Sequence, residues 1–334
     1  MASKLKILLL FDLSVPIKKE EYPEYLKTEE WKTEAGIYRT LRKLGHEVQL
    51  FGLHNDIQPL IDELRAERPD LVFNLCEAFG GDRQYEPHVA SLLELMRIPY
   101  TGAGVMALKI CKDKGLTKKI LSYHRIHLPR FEISHRSHPL RSLKRFTYPA
   151  FIKPLQLEAS EGISQVSFAN TEREALERVK YINERLEVDA IVEEYIDGRE
   201  IYVSIIGNDR LQVFPARELF FKQVPEGEPK FATFRAKWNE TYRKKWGIDT
   251  GSARSFPKDV EQRIDEACKK IYRLLKLRGY GRIDLRVKPN GEVYFIEANP
   301  NPSIAREDDF ALSAEKGGMD YESLIAKIIS LTGA

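Results

Sequence analysis

Residues 281–304 read GRIDLRVKPNGEVYFIEANPNPSI, two apolar runs on either side of an Asn-Gly. That dipeptide between strand-like runs is a strong short-range hairpin signal, and a hairpin dictates which residues can face one another. With Asn290 and Gly291 as a two-residue turn, Pro289 lies opposite Glu292, Asp284 opposite Glu297, and Arg282 opposite Asn299. Side chains alternate along strands, so Arg282, Asp284, Glu297 and Asn299 share one face. Ile283, Leu285, Val287, Tyr294, Ile296 and Ala298 then form the core face. A type I turn with a glycine bulge would shift the register by one residue and mix Asp284 with Tyr294 and Ile296. The clean polar and apolar division favours the two-residue turn. Carboxylates directly opposite one another destabilise a sheet unless something positive lies between them. Two carboxylates and an amide oxygen suit Mg2+. A solvated face neutralised by Arg282 and Arg286 is the alternative.

Upstream, the chain begins as alternating strands and helices. KILLLF, EVQLFGL and DLVFNL are short apolar runs, separated by the helical patterns EWKTEAGIYRTLRKLG and QPLIDELRAERP. A further helix, EPHVASLLELM, leads into IPYTG. Such alternation predicts a parallel sheet covered on both faces, with ligands beyond the strands' carboxyl ends, where FDLS and NLCEAFGGDR lie. Beyond residue 105 the texture changes. A Lys-rich helix, ALKICKDKGLTKKILSYH, precedes strands FEIS, AFIKPL and SQVSF, the helix TEREALERVKYINERL and the strand AIVEEYI. The last part opens on IYVSIIG and LQVFPARELFF and continues through a polar stretch, 222–255, long enough to read as a mobile functional loop. A long helix, KDVEQRIDEACKKIYRLLKLRG, the hairpin and a closing helix, DYESLIAKIISLTG, follow. The organisation expected is 1–105, 106–192 and 193–334.

Composition mainly excludes. Net charge is +3 on 53 basic and 50 acidic residues, too balanced to announce nucleic acid or membrane binding. No run approaches the ~20 apolar residues of a membrane span, and no cleavage-like segment follows MASKLKILLLFDL. The three cysteines, Cys76, Cys111 and Cys268, are widely spaced and form no CxxC, which predicts reduced thiols in a cytoplasmic protein. The basic stretches HRSHPLRSLKR and TYRKKWG read as solvated loops, and His124, His127, His135 and His138 as surface histidines. Cys76 reads as a buried small hydrophobe at the edge of the cleft, where Glu77, Gly80 and Gly81 could contact a first substrate.

Neither a Walker loop nor a GxSxG elbow occurs, and Gly102-Ala-Gly104 reads as a turn before a helix. What remains is charge inside strands: Lys153 in AFIKPL, and Glu193, Glu194 and Glu200 in AIVEEYIDGREIYVSII. Unpaired buried charge is costly, so each needs a partner or a polar ligand. The small-residue loop LEASEGIS after Lys153 could bring backbone N–H groups to phosphate oxygens. Lysines, a small-residue lid and a carboxylate pair together describe a nucleoside triphosphate site.

Taken in order, DKGLTKKIL, FIKPLQLEASEGISQV, VEEYIDGREIYVSII, GRIDLRV and FIEANPNP resemble the ATP-grasp superfamily, and more narrowly its D-alanine–D-alanine ligase-like branch. The resemblance implies an α/β fold in which a Rossmann-like N-terminal domain precedes two α+β subdomains enclosing the nucleotide. It implies ATP and Mg2+ (Mn2+ as the alternative ion) as cofactors. Lys114 and Lys153 would contact ATP phosphates and the adenine edge. Glu193, Glu194, Tyr195 and Ile196 would frame adenine, Glu200 would bind ribose, and Ala159, Ser160 and Gly162 would close over the phosphates. Asp284, Glu297 and Asn299 would hold the metal. Arg282 would stabilise a tetrahedral intermediate and Lys237 would reach the γ-phosphate. The implied reaction is ATP-dependent amide formation through an acyl phosphate.

Departures from the family pattern point to a different substrate pair. FDLSVP and a Glu-rich insertion replace the motif that holds the first amino acid's ammonium, while Ala159 and Trp238 replace the residues assisting it. Ser303 stands for an oxyanion-hole glycine, and Asp308 for a serine that would bind the acceptor's carboxylate. The expected partners are a small amino acid, amine or peptide, with no nucleic acid or membrane; a homodimer is allowed. The competing readings are a ligase acting on a peptide and an ATP-binding scaffold without turnover.

Overall fold

The computed structural model describes residues 4–157, 161–224, 231 and 239–334. Its first sheet is parallel, in the order β2 (Glu47–Leu53), β1 (Lys6–Asp12), β3 (Leu71–Asn74). Alternation along β1 sends Leu8 and Leu10 into one core and Ile7, Leu9 and Phe11 into another. Both faces are covered, as the unbroken apolar run predicts.

A second sheet is antiparallel, in the order β4 (Phe131–Ser134), β7 (Ala190–Glu194), β5 (Ala150–Pro154), β6 (Phe168–Ala169), backed by the helix Glu172–Arg185. The expected strand SQVSF is a 3-10 turn, Gln165–Ser167, followed by only two strand residues. The Ser164 amide donates to the Ser167 hydroxyl, a local bond that competes with sheet pairing. The Lys-rich helix is two helices, Val105–Lys112 and Lys114–Tyr123. Asp113 breaks it: its backbone is extended and its carboxylate accepts the Leu116 amide as an N-cap.

The third sheet has six strands, in the order β11 (Ile248–Ser252), β10 (Arg217–Phe221), β8 (Arg199–Ile206), β12 (Tyr280–Val287), β13 (Val293–Pro300), with β9 (Gln212–Val213) also on β8. Stretch 222–255 is thus not a loop throughout, since it holds β11 and a helix, Glu240–Trp246. Asn239 caps that helix through the Tyr242 amide, and Gly247 ends it at φ +57°. Ile201, Val203 and Ile205 of β8 and Ile283, Leu285 and Val287 of β12 share a core with the long helix Lys258–Leu274.

The hairpin corrects the expected turn. Gly291 N–H donates to Lys288 C=O and Lys288 N–H to Glu292 C=O, so Pro289 and Asn290 occupy the turn and Gly291 follows at φ +81°. Pro289 lacks the N–H that a two-residue turn would use at that position. A glycine bulge therefore shifts the register near the turn, pairing Val287 with Val293 and Leu285 with Phe295. A second irregularity shifts it back, because Asp284 pairs with Glu297 and Arg282 with Asn299. Ile296 is the extra residue. Phe295 takes the core place expected of Ile296, and Ile296 instead lines a cleft.

Candidate active site

Strand register assembles the site. On β8, Glu200, Tyr202 and Ser204 lie opposite Arg286, Asp284 and Arg282 of β12. Asp284 and Arg282 in turn face Glu297 and Asn299 of β13. One sheet face thus carries the four residues expected from the hairpin, extended by a strand that sequence reasoning had not joined to it.

The second sheet closes over this face. A cleft between the two sheets is lined by Lys114, Lys153, Glu193, Glu194, Tyr195, Ile196, Glu200, Asp284 and Glu297. Nine of the expected residues therefore converge from four segments. Phe151, Leu157, Ile163, Phe231 and Ile296 add apolar walls suited to a planar base. Arg282 and Asn299 lie one cross-strand pair beyond Asp284 and Glu297, and Gly162 sits at φ +69° between two lining residues. Ala159, Ser160, Lys237 and Trp238 lie outside the described residues.

Charges in the cleft are paired. Glu193 is buried between Lys118 (3.2 Å) and Lys153 (3.1 Å). Burial pushes the Glu193 carboxyl up, but the two ammonium groups bring it below its ordinary value. Burial wins at Lys118, pushed down to about 8. Lys118 was missed at the sequence level, although it lies four residues from Lys114 on one helix face. Glu200 accepts from Tyr202 Oη (2.8 Å) and Arg286 Nη2 (2.6 Å). Arg286 therefore answers Glu200 and not the hairpin acids, contrary to the alternative reading of that face.

Arg282 forks onto Asp284, Nε to Oδ1 at 2.7 Å and Nη2 to Oδ2 at 2.9 Å, and Asn299 Nδ2 donates to the same carboxylate at 3.0 Å. Lys114 Nζ lies 3.3 Å from Glu297. Each hairpin acid thus faces a cation, as the repulsion between them requires. Among the described residues no three of His, Cys, Asp and Glu cluster as metal ligands. Two opposed carboxylates with a neighbouring amide nonetheless form a hard-oxygen donor set that fits Mg2+.

At the N-terminal sheet's carboxyl edge, the Glu77 amide donates to Asp12 and its carboxylate pairs with Arg83. Gly80 and Gly81, at φ +59° and +78°, make the turn beside it. Cys76 is buried and its thiol is pushed well up by burial, as expected of a small hydrophobe. Glu34 is the finding here. Its Oε2 is buried with no hydrogen-bond partner among the described residues, and burial, with Asp12 and Glu77 adding to it, raises its carboxyl. Nothing in the sequence separates Glu34 from the other glutamates of residues 20–34. Ser303 and Asp308 do not line the cleft; Asp308 is in electrostatic reach of Lys32 and Tyr321, whereas Asp309 reaches Arg282.

The profile of the D-ala D-ala ligase C-terminus family matches residues 110–330. The D-alanine–D-alanine ligase of Caldicellulosiruptor bescii is 31% identical over 277 residues, covering 78% of this chain and 70% of that protein. The corresponding ligase of Aquifex aeolicus is 28% identical over 301 residues, covering 90% and 94%. The crystal structure of the D-alanine–D-alanine ligase from Bacillus anthracis complexed with ATP superposes with a TM-score of 0.73 at 22% identity, over 98% of this chain and 97% of that one. With an ATP-grasp fold and the matched segment carrying the charged cleft, this chain belongs to the D-alanine–D-alanine ligase family.

Proposed function

We propose that the protein is an ADP-forming carboxylate–amine ligase that works through an acyl phosphate on a substrate pair other than two D-alanines. The observation that carries this reading is the single sheet face on which Glu200, Asp284, Glu297 and Arg282 follow one another. On this reading the face would lead from the nucleotide cleft toward the reacting centre.

Lys114 and Lys153 bring positive charge to one side of the cleft, where phosphates of ATP would lie. Asp284, Glu297 and Asn299 would hold Mg2+, which when bound would neutralise phosphate charge. Arg282, fixed by its fork onto Asp284, is a preorganised cation for the charge that develops when an amine attacks the acyl carbon. Its guanidinium is raised further by Asp284, so it stays charged at any working pH. Glu34, whose Oε2 has no hydrogen-bond partner among the described residues and which lies in electrostatic reach of Asp12 and Glu77, would take the ammonium of the carboxylate substrate, the role left vacant when FDLSVP replaced the family motif. No protein nucleophile is needed.

The test is Mg2+-dependent ADP release from ATP across D- and L-amino acids, simple amines and short peptides, with products identified by mass. Turnover with one pair, abolished in Glu297→Gln, is the expected result. Nucleotide binding that survives both that change and removal of Mg2+, with no ADP from any pair, would instead describe a scaffold.

A further inference from the structure

The sheet face that carries the site does not stop at β8. Across β10 and β11 the register continues, so that Ser252, Arg217, Tyr202, Asp284 and Glu297 form one cross-strand row over five strands. Arg217 is thus on the reacting face, two strand spacings (about 10 Å) from Asp284. Its Nε donates to Asp309 Oδ1 at 2.7 Å and its Nη2 to Thr250 C=O on the outer strand at 3.1 Å. The side chains of Arg217 and Asp309 remain 12% and 23% exposed, so the pair is screened but not sealed. Asp309 begins the helix Asp309–Lys316, where a displaced carboxylate stays stabilised by the helix dipole. Beside the row, directly opposite Arg282, Ser204 Oγ is buried with no hydrogen-bond partner among the described residues.

We propose that Arg217 selects the acceptor, binding a carboxylate remote from its reacting amine, and that Asp309 occupies that place until the acceptor arrives; the inference rests on the ligase reading above. An internal carboxylate on a guanidinium shows what shape and charge the position accepts, because a carboxylate is the natural match for the arginine fork. An α-amino acid is too short for it. Its nitrogen and carboxyl carbon are about 2.5 Å apart, whereas Arg217 is separated from Asp284 by the intervening Tyr202 of β8, two strand spacings in all. A short peptide or an ω-amino acid spans the gap. Ser204 Oγ, without a hydrogen-bond partner among the described residues, would give such a ligand an additional hydrogen bond on the way.

The probes are glycylglycine and its C-terminal amide, titrated calorimetrically into the full chain loaded with a non-hydrolysable ATP analogue and Mg2+. Wild type is expected to bind the acid about ten-fold more tightly than the amide. Arg217→Met should bring that ratio to about one with nucleotide affinity unchanged, and Asp309→Asn should tighten the acid several-fold while leaving the amide alone. Equal binding of acid and amide by wild type, binding of neither, or an unchanged ratio in Arg217→Met overturns the proposal. If Arg217→Met does not fold, Asp309→Asn decides: no gain for the acid means the pair is a structural strut. ADP release by wild type is read in a separate assay, so loss of the ligase reading and loss of the Arg217 assignment are told apart.

Discussion

Charged residues in strands were the most informative letters of the sequence. Lys153 and Glu193 stand where a core would take apolar groups, and the structure places both in the cleft, held by the Lys118–Glu193–Lys153 cluster. Removing the carboxylate should leave two buried ammonium groups without it. Glu193→Leu is therefore expected to cost about 3–5 kcal/mol, the range for breaking a buried ion pair from one side. A urea titration measures this, and a loss below about 1 kcal/mol would mean that the lysines find other partners. Lys118, Glu34 and Arg217 were not legible as site residues. Only a neighbour distant in sequence distinguishes each of them.

Elements show how a local rule can fail and its consequence still hold. The Asn-Gly hairpin exists, but Pro289 forces a bulged turn, and the register is recovered only by Ile296. The two irregularities cancel between the turn and the site. Gly291 is at φ +81°, and a Cβ there would come within 2.8 Å of Val260 Cγ2 and 2.9 Å of Arg263 Nη2. Gly291→Ala should thus destabilise, by more than the ~1 kcal/mol that the same change gains at a compatible glycine site, while leaving the KM for ATP unchanged because Ile296 re-sets the register. A shifted KM would show that the turn itself holds the site. Asp113 is the converse case, where a cap splits a continuous helical pattern and makes Lys114 the first residue of a new helix.

For the whole molecule, the three sheets do not correspond to three cores. One cluster joins Ile7, Leu9 and Phe11 of the first strand to Ile206, Phe310, Leu324 and Ile328, so the chain's last helix covers its first sheet. Leu324 is fully buried there. Leu324→Ala should cost about 2–5 kcal/mol and lower the melting temperature of the N-terminal and C-terminal parts together in hydrogen exchange. Separate melting would refute the shared core. The third sheet carries a pH-sensitive tie: Glu218, buried beneath Arg199 and Arg254, is raised by burial but held below its ordinary value by their hydrogen bonds. A depressed carboxylate adds stability above its unfolded value, near 4.3, and that stability is lost as pH falls through the lower folded value. Thermal melts from pH 7 to 3 should therefore fall less steeply in Glu218→Gln, and parallel curves would argue against it.

The sequence alone determined the alternating first sheet and the presence of the hairpin, because period and turn chemistry act over a few residues. The shared face of Arg282, Asp284, Glu297 and Asn299 was expected from a turn the structure does not have, and it holds because Ile296 restores the register. It also carried the family, through the order of its charged strands. Tertiary structure decided which strands lie beside that hairpin. The partners of Glu193 and Glu200, the unanswered oxygen of Glu34 and the row that reaches Arg217 depend on sheet order and on packing between distant segments. Strand order is set by the burial of whole faces, and no local pattern encodes it.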